Sequence, residues 1–201
     1  MNKYELLQDD KIEVSGHILY RIKALKDFFG AKAGDLGGYI EGESNLSQEG
    51  TCWVYGNARV YGNARVYGDA CVCGNARVFG EAYVCGNARV FGEAYVYGNA
   101  RVCGDARVCG DACVFGEAYV YGDAKINKIS DVLCISPIGS RNDTTTFFKT
   151  KDGNICVKCG CFTGTIDKFL EAVSETHKDN KHAKAYKLAC ELAKIQIELE
   201  D

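Results

Sequence analysis

Histidine is scarce in this chain. Of its 201 residues only His17, His177 and His182 are histidines, and none lies between Gly42 and Gly160. The central part therefore offers no imidazole as a general base and no histidine set for a catalytic zinc, so chemistry of either kind would have to sit at the ends of the sequence. A basic excess is missing as well. Against 24 Lys and Arg stand 27 Asp and Glu, a net charge of −3, which gives no field to steer the protein to a nucleic-acid polymer or an anionic membrane. No stretch approaches the ~18 apolar residues of a membrane span. The opening residues, MNKYELLQDD, are polar and acidic and carry no signal-peptide core, so a cytoplasmic protein is expected. The cysteine cluster CVKCGC, with Cys156, Cys159 and Cys161, lacks the second C-x2-C or spaced histidine pair that would complete a four-ligand zinc site. Neither a metal nor a cofactor is expected.

Repetition is what the chain has in excess. An aliphatic residue returns every six positions from Val54 to Ile126, alanine does so from Ala58 to Ala124, and glycine from Gly56 to Gly122; the residue after each of these glycines is Asn, Asp or Glu. The unit is A-x-V-x-G-[NDE]. Alanine and valine two apart point to the same side of an extended chain, and the glycine with its polar follower is turn chemistry, so each unit reads as a very short strand and a corner. A helix is excluded, because a period of six does not match 3.6 and each glycine would cost about 1 kcal/mol relative to alanine. A flat sheet fails too, since the recurring corner leaves no strand long enough. The arrangement that buries every Ala and Val is a coil wound about its own axis, each turn hydrogen-bonded to the next at about 4.8 Å. Of the 12 cysteines, six lie inside the repeat. They are expected to be reduced thiols acting as small apolar fillers, although Cys85 and Cys103, 18 residues apart, would stack one coil above the other.

Segments such as GNARVYGNARVYGDA (Gly56 to Ala70) resemble the hexapeptide-repeat superfamily. The resemblance implies a left-handed parallel β-helix with three units, roughly 18 residues, per turn, and parallel packing of three such coils into a homotrimer. With that period the outward residues sort into three faces. One carries the column Tyr61, Phe79, Tyr97 and Phe115 beside Arg59, Arg77, Tyr95 and Cys113. A second carries Arg65, Tyr83, Arg101 and Tyr119 beside Tyr67, Cys85, Cys103 and Tyr121. The third carries Cys71, Arg89, Arg107 and Lys125 beside Cys73, Phe91, Cys109 and Asn127. This is more apolar surface than soluble monomers tolerate, so the Tyr61, Phe79, Tyr97 and Phe115 column is expected to be an oligomer interface. The alternative is that the chain's own C-terminal helix covers it. The superfamily's enzymes fit poorly: its acyltransferases use a histidine on the coil or a loop from it, and its carbonic anhydrases use three zinc-binding histidines converging between subunits. An acyltransferase is the lesser alternative.

Outside the repeat, Ile18 to Lys26 reads as a strand and Gly34 to Gly42 as a glycine-rich lead into the coil, with Ile40, Leu46 and Cys52 supplying a degenerate early turn in the alanine register. The expected organisation is an N-terminal cap over 1–39, a β-helix over 40–128 and a small α+β domain over 129–201. In that tail, strands are expected at Val132 to Ile135, Thr144 to Lys149 and Asn154 to Lys158. Helices follow at Thr165 to Thr176 and Lys181 to Glu200, with Thr165 and either Asp179 or Asn180 as N-caps. Dense polar chemistry is concentrated at Ser140, Arg141, Asn142, Thr144, Thr145 and Thr146, followed by Phe147, Phe148 and Lys149. Hydroxyls, an arginine and adjacent aromatics suit a phosphorylated, base-containing ligand; the same residues also read as a hairpin loop leading into an ordinary strand. Across nearly its full length, from RIKALKDF and GDLGGYIEG to ISPIGSRNDTTTFF and CGCF, the sequence looks like small proteins of bacteriophages and prophages. Non-catalytic phage oligomers that sequester nucleotide immune signals form a recognised class. The expectation is therefore a non-catalytic trimeric binding protein for a small anionic or nucleotide ligand, with a structural or protein-interaction scaffold as the alternative.

Overall fold

The computed structural model describes residues 2–197. Thirteen two-residue strands, from Trp53–Val54 to Lys125–Ile126, wind into a β-solenoid of about five turns. They stack in three parallel sheets, each rung pairing with those 18 residues away: Val90 with Val72 and Val108, Arg101 with Tyr83 and Tyr119. Alanine and valine fill the interior as the repeat requires, and from Val54 to Ala124 none of them is more than 1% exposed. The corners depend on glycine twice over. At Gly92 the φ is +76°, and an added Cβ would lie 3.0 Å from the backbone N and O of Gly110 in the next turn, so a side chain lacks both the conformation and the room. The polar corner residues answer one another between turns. Amides of Asn63, Asn75 and Asn87 donate to Glu81, Glu93 and Asp105 at 2.7, 2.6 and 2.9 Å.

The first end of the solenoid is closed by a hairpin, β1 (Tyr4–Val14) and β2 (His17–Ala24). Ser15 and Gly16, both at positive φ, make its turn. β3 (Leu36–Ile40) pairs with β2 on one side and with Arg59–Val60 on the other, so the hairpin prolongs the first face of the coil. An early turn exists, but not in the expected register. Ile40 pairs with Val60 and Leu46 with Val66, a spacing of 20, whereas Trp53 pairs with Cys71 at 18. Ile40 and Leu46 thus sit over valines rather than over Ala58 and Ala64. Beside the added length is a buried cation: Lys3 Nζ donates to the carbonyls of Glu49 (3.2 Å) and Cys52 (2.9 Å).

The other end is plugged by the tail. Strands Val132–Ile138, Asp143–Lys149, Ile155–Cys159 and Phe162–Thr165 form an antiparallel sheet, the last of them unforeseen. Helix α1 (Ile166–His177) is capped by Thr165 and α2 (Lys181–Gln196) by Asn180, whose side chain accepts from the backbone N–H groups of His182 and Ala183. Residues 198–200 of the second expected helix lie outside the described residues. The tail sheet has two apolar faces. Phe147 and Val157 pack with α1 and α2 around Phe169, Tyr186 and Ala193, while Phe148, Val132, Cys134 and Cys156 pack onto the core of the coil. The helices therefore cover their own sheet and not the aromatic column. The expectation that all cysteines are reduced thiols also needs correcting: Cys85 and Cys103, in register on adjacent turns with Cα atoms 4.6 Å apart, are joined in a disulfide.

Candidate functional site

Because the tail sheet docks on the last turn beside the second face of the coil, a groove of about 410 Å³ opens between them. The coil contributes Tyr83, Arg101 and Tyr119 from successive rungs, with Glu81, Asn99 and Glu117 from the adjoining corner. The tail contributes Asp143, Thr144, Thr146, Lys158 and Gly160. Thr146 fastens the two parts, its Oγ1 accepting from the backbone N–H of Tyr119 at 3.1 Å, an N–H that in mid-coil would meet the next turn.

The charges in the groove are unevenly satisfied. Glu81 accepts from the amide of Asn63 at 2.7 Å, Glu117 accepts from that of Asn99, and Asp143 lies 3.9 Å from the Arg141 guanidinium. The two cations have no carboxylate: among the described residues neither Arg101 nor Lys158 lies within ion-pair distance of one. Instead the Arg101 guanidinium stands 5.6 Å from the centre of the Tyr83 ring, and the Lys158 ammonium 5.5 Å from that of Tyr119 and 5.8 Å from that of Tyr121. Lys158 Nζ also donates to the Gly160 carbonyl at 2.7 Å. Ring faces hold both cations in place while leaving donor N–H groups unspent. Chemically the groove can accept an anion and flank it with tyrosines.

The residues singled out from the sequence are divided by this geometry. Thr144 and Thr146 line the groove, whereas Ser140 and Arg141 line a separate cavity within the tail. Asn142 is exposed at positive φ in the hairpin turn. Thr145, Phe147, Phe148 and Lys149 are buried, and the two phenylalanines are packing residues of the tail and coil cores. Arg101, Tyr83 and Tyr119 had been placed on one face by the 18-residue period, yet nothing in the sequence showed that the tail would dock against them, and Lys158 went unnoticed inside CVKCGC. Of that motif, Cys156 packs on the coil, Cys159 contacts the Tyr186 hydroxyl at 3.6 Å and Cys161 is exposed. Among the described residues no group of three or more metal-ligating side chains comes together.

On the first face, Tyr61, Phe79, Tyr97 and Phe115 form a continuous stack with ring centres 5.1, 5.1 and 5.5 Å apart, close to the rise of the coil. Leu19 and Tyr39 bury its first member beneath the hairpin, while Phe115 at the other end is 49% exposed.

Fold and repeat together define a β-solenoid repeat protein. The family model of the YdcK β-solenoid repeat matches residues 54–68, 58–73 and 94–110, all within the coil. No curated protein matches the chain. No helix among the described residues is long and apolar enough to cross a membrane.

Proposed function

We propose that this protein is a non-catalytic, trimeric binding protein that holds a small anionic ligand, of nucleotide type, in the groove between coil and tail. The observation that carries the reading is the pair Arg101 and Lys158, the groove's two cations, which among the described residues have no carboxylate partner, whereas Glu81 and Glu117 accept from the amides of Asn63 and Asn99 and Asp143 lies 3.9 Å from Arg141. A phosphate would meet these cations through charge-assisted hydrogen bonds, and a base would stack beside Tyr83 or Tyr119. Glu81 and Glu117 add acceptors for the donor groups of a base or ribose. The resemblance to phage-borne proteins sharpens this to sequestration of a nucleotide signal in the cytosol of a bacterial host. A scaffold role is the second reading, favoured by the burial of Thr145, Phe147, Phe148 and Lys149 away from any ligand.

Native mass spectrometry of the protein purified from a bacterial host tests both readings. A trimer that retains a phosphorylated metabolite, or takes one up from a panel of cyclic and linear nucleotides, supports the binding reading. Arg101→Ala and Lys158→Ala should then each weaken that binding by about ten-fold or more, the value of a charge-assisted hydrogen bond, with the subunit count unchanged. A trimer that stays bare across the panel is the outcome expected of a scaffold.

A further inference from the structure

The tail contains a second cavity, of about 330 Å³, that the proposed function leaves unused. Its floor is Phe169 and Val173 of α1 with Tyr186 of α2, each less than 10% exposed, and Phe162 closes one side. These rings hold one another: Phe162 and Phe169 have centres 5.1 Å apart, and Phe169 meets Tyr186 edge-on at 5.2 Å. The rim is polar, with Ser140, Arg141, Thr176 and His177, and among the described residues no carboxylate lines the cavity. Arg141 is held at the mouth by two features. Its guanidinium occupies the space that a Cβ at position 160 would need, so it can lie there only because residue 160 is glycine, and the Asp143 carboxylate stands 3.9 Å from its Nη2. An aromatic floor, hydroxyls and one placed cation are the complement of a flat apolar molecule with a single negative group.

We propose that this cavity is a binding site for a small aromatic anion, separate from the groove and of different ligand class. The hydrophobic part lies on Phe162, Phe169 and Tyr186, and the anionic group meets Arg141 with the Ser140 hydroxyl.

Titration of the full chain with 8-anilinonaphthalene-1-sulfonate, an aromatic sulfonate whose emission rises in apolar surroundings, tests the assignment without reference to nucleotide binding. Saturable binding of one probe per chain is expected. Ala172→Trp, which fills the cavity from α1, should abolish it, and Thr176→Trp does the same from the rim should the first variant melt early. Arg141→Ala should weaken the probe by about ten-fold or more, while Phe115→Ala on the aromatic stack leaves it unchanged. The uncharged analogue N-phenyl-1-naphthylamine should bind more weakly to the native chain and equally to the Arg141 variant. Probe binding that survives both tryptophan variants, that falls with Phe115→Ala, or that is indifferent to the sulfonate overturns the proposal.

Discussion

Glu41 stands where the cap meets the coil, and it shows how one side chain can tie two elements. Its Oε1 lies 2.9 Å from His17 Nδ1 in the hairpin, and its Oε2 accepts from the backbone N–H of Gly62 in the coil at 2.7 Å. Partial burial pushes the Glu41 pKa up, but the hydrogen bonds from His17 and Gly62 outweigh it and leave the carboxyl below the usual glutamate range. A carboxyl with a lower pKa in the folded than in the unfolded state adds stability that is present above the unfolded value and lost as pH falls through the folded one. The cap should therefore loosen on acidification below about pH 4. Thermal melting across a pH series should show Glu41→Gln melting lower than the native chain near neutrality and losing less on the acid side. An acid limb of equal steepness in both proteins would assign the loss to other carboxylates. No sequence pattern marks this pair, because Glu41 lies 24 residues from one partner and 21 from the other.

At the scale of the element, α2 carries two apolar stripes. Ala183, Tyr186, Ala189, Cys190, Ala193 and Ile197 face the tail core. On another side Leu188, Leu192 and Ile195 are 65%, 47% and 77% exposed. Their spacing of four and three is that of the heptad seam of a helix that packs against a second helix, with Leu192 at an a position and Leu188 and Ile195 at d. Burying a Leu or Ile that now faces water is worth about 1.5–3 kcal/mol each. Leu192→Glu should therefore lower the subunit count seen by sedimentation while barely moving the melting temperature of the single chain, where the position is already in water. An unchanged mass would remove α2 from the interface.

Elements were legible in the sequence to the degree that their signal was periodic and local. The thirteen rungs followed from the period, their three faces from the 18-residue turn that the hexapeptide resemblance implies, and the helix caps from Thr165 and from the pair Asp179 and Asn180, of which Asn180 is the one used. The first strand, Tyr4–Val14, was not legible: its alternation is blurred by the polar run Gln8 to Lys11, where the pairing with β2 slips, and only the Ser15–Gly16 turn between Val14 and His17 advertised a hairpin. Phe162–Thr165 was hidden because its pairing with Cys156 to Cys159 depends on a tight turn at Gly160. The docking of the tail, which creates the groove, rests on contacts such as Thr146 with Tyr119, 27 residues apart, and no single-sequence pattern reports contacts of that kind.

For the whole molecule, the three faces of the coil have different fates, and this bears on how copies can meet. The tail docks on the last rung of the second face, at Tyr119, and leaves Arg65 and Tyr67 of that face exposed. The third exposes Arg89, Arg107 and Lys125 on successive rungs, and like charges stacked directly opposite each other keep a face in water. The first face alone offers an aromatic stack, covered by the hairpin at Tyr61 and open at Phe115. Among the faces of the coil, the proposed trimer is therefore expected to use the open end of that stack alongside the α2 stripe, and Phe115→Glu should shift the native mass toward monomer, whereas Arg89→Glu should not. The groove residues named above all belong to one chain, and ligand capture is predicted not to require the trimer. A monomeric Phe115→Glu variant should retain the nucleotide affinity of the native protein. Loss of that affinity together with the trimer would mean that a neighbouring subunit completes the site, and dissociation by Arg89→Glu instead would assign the interface to the cationic face.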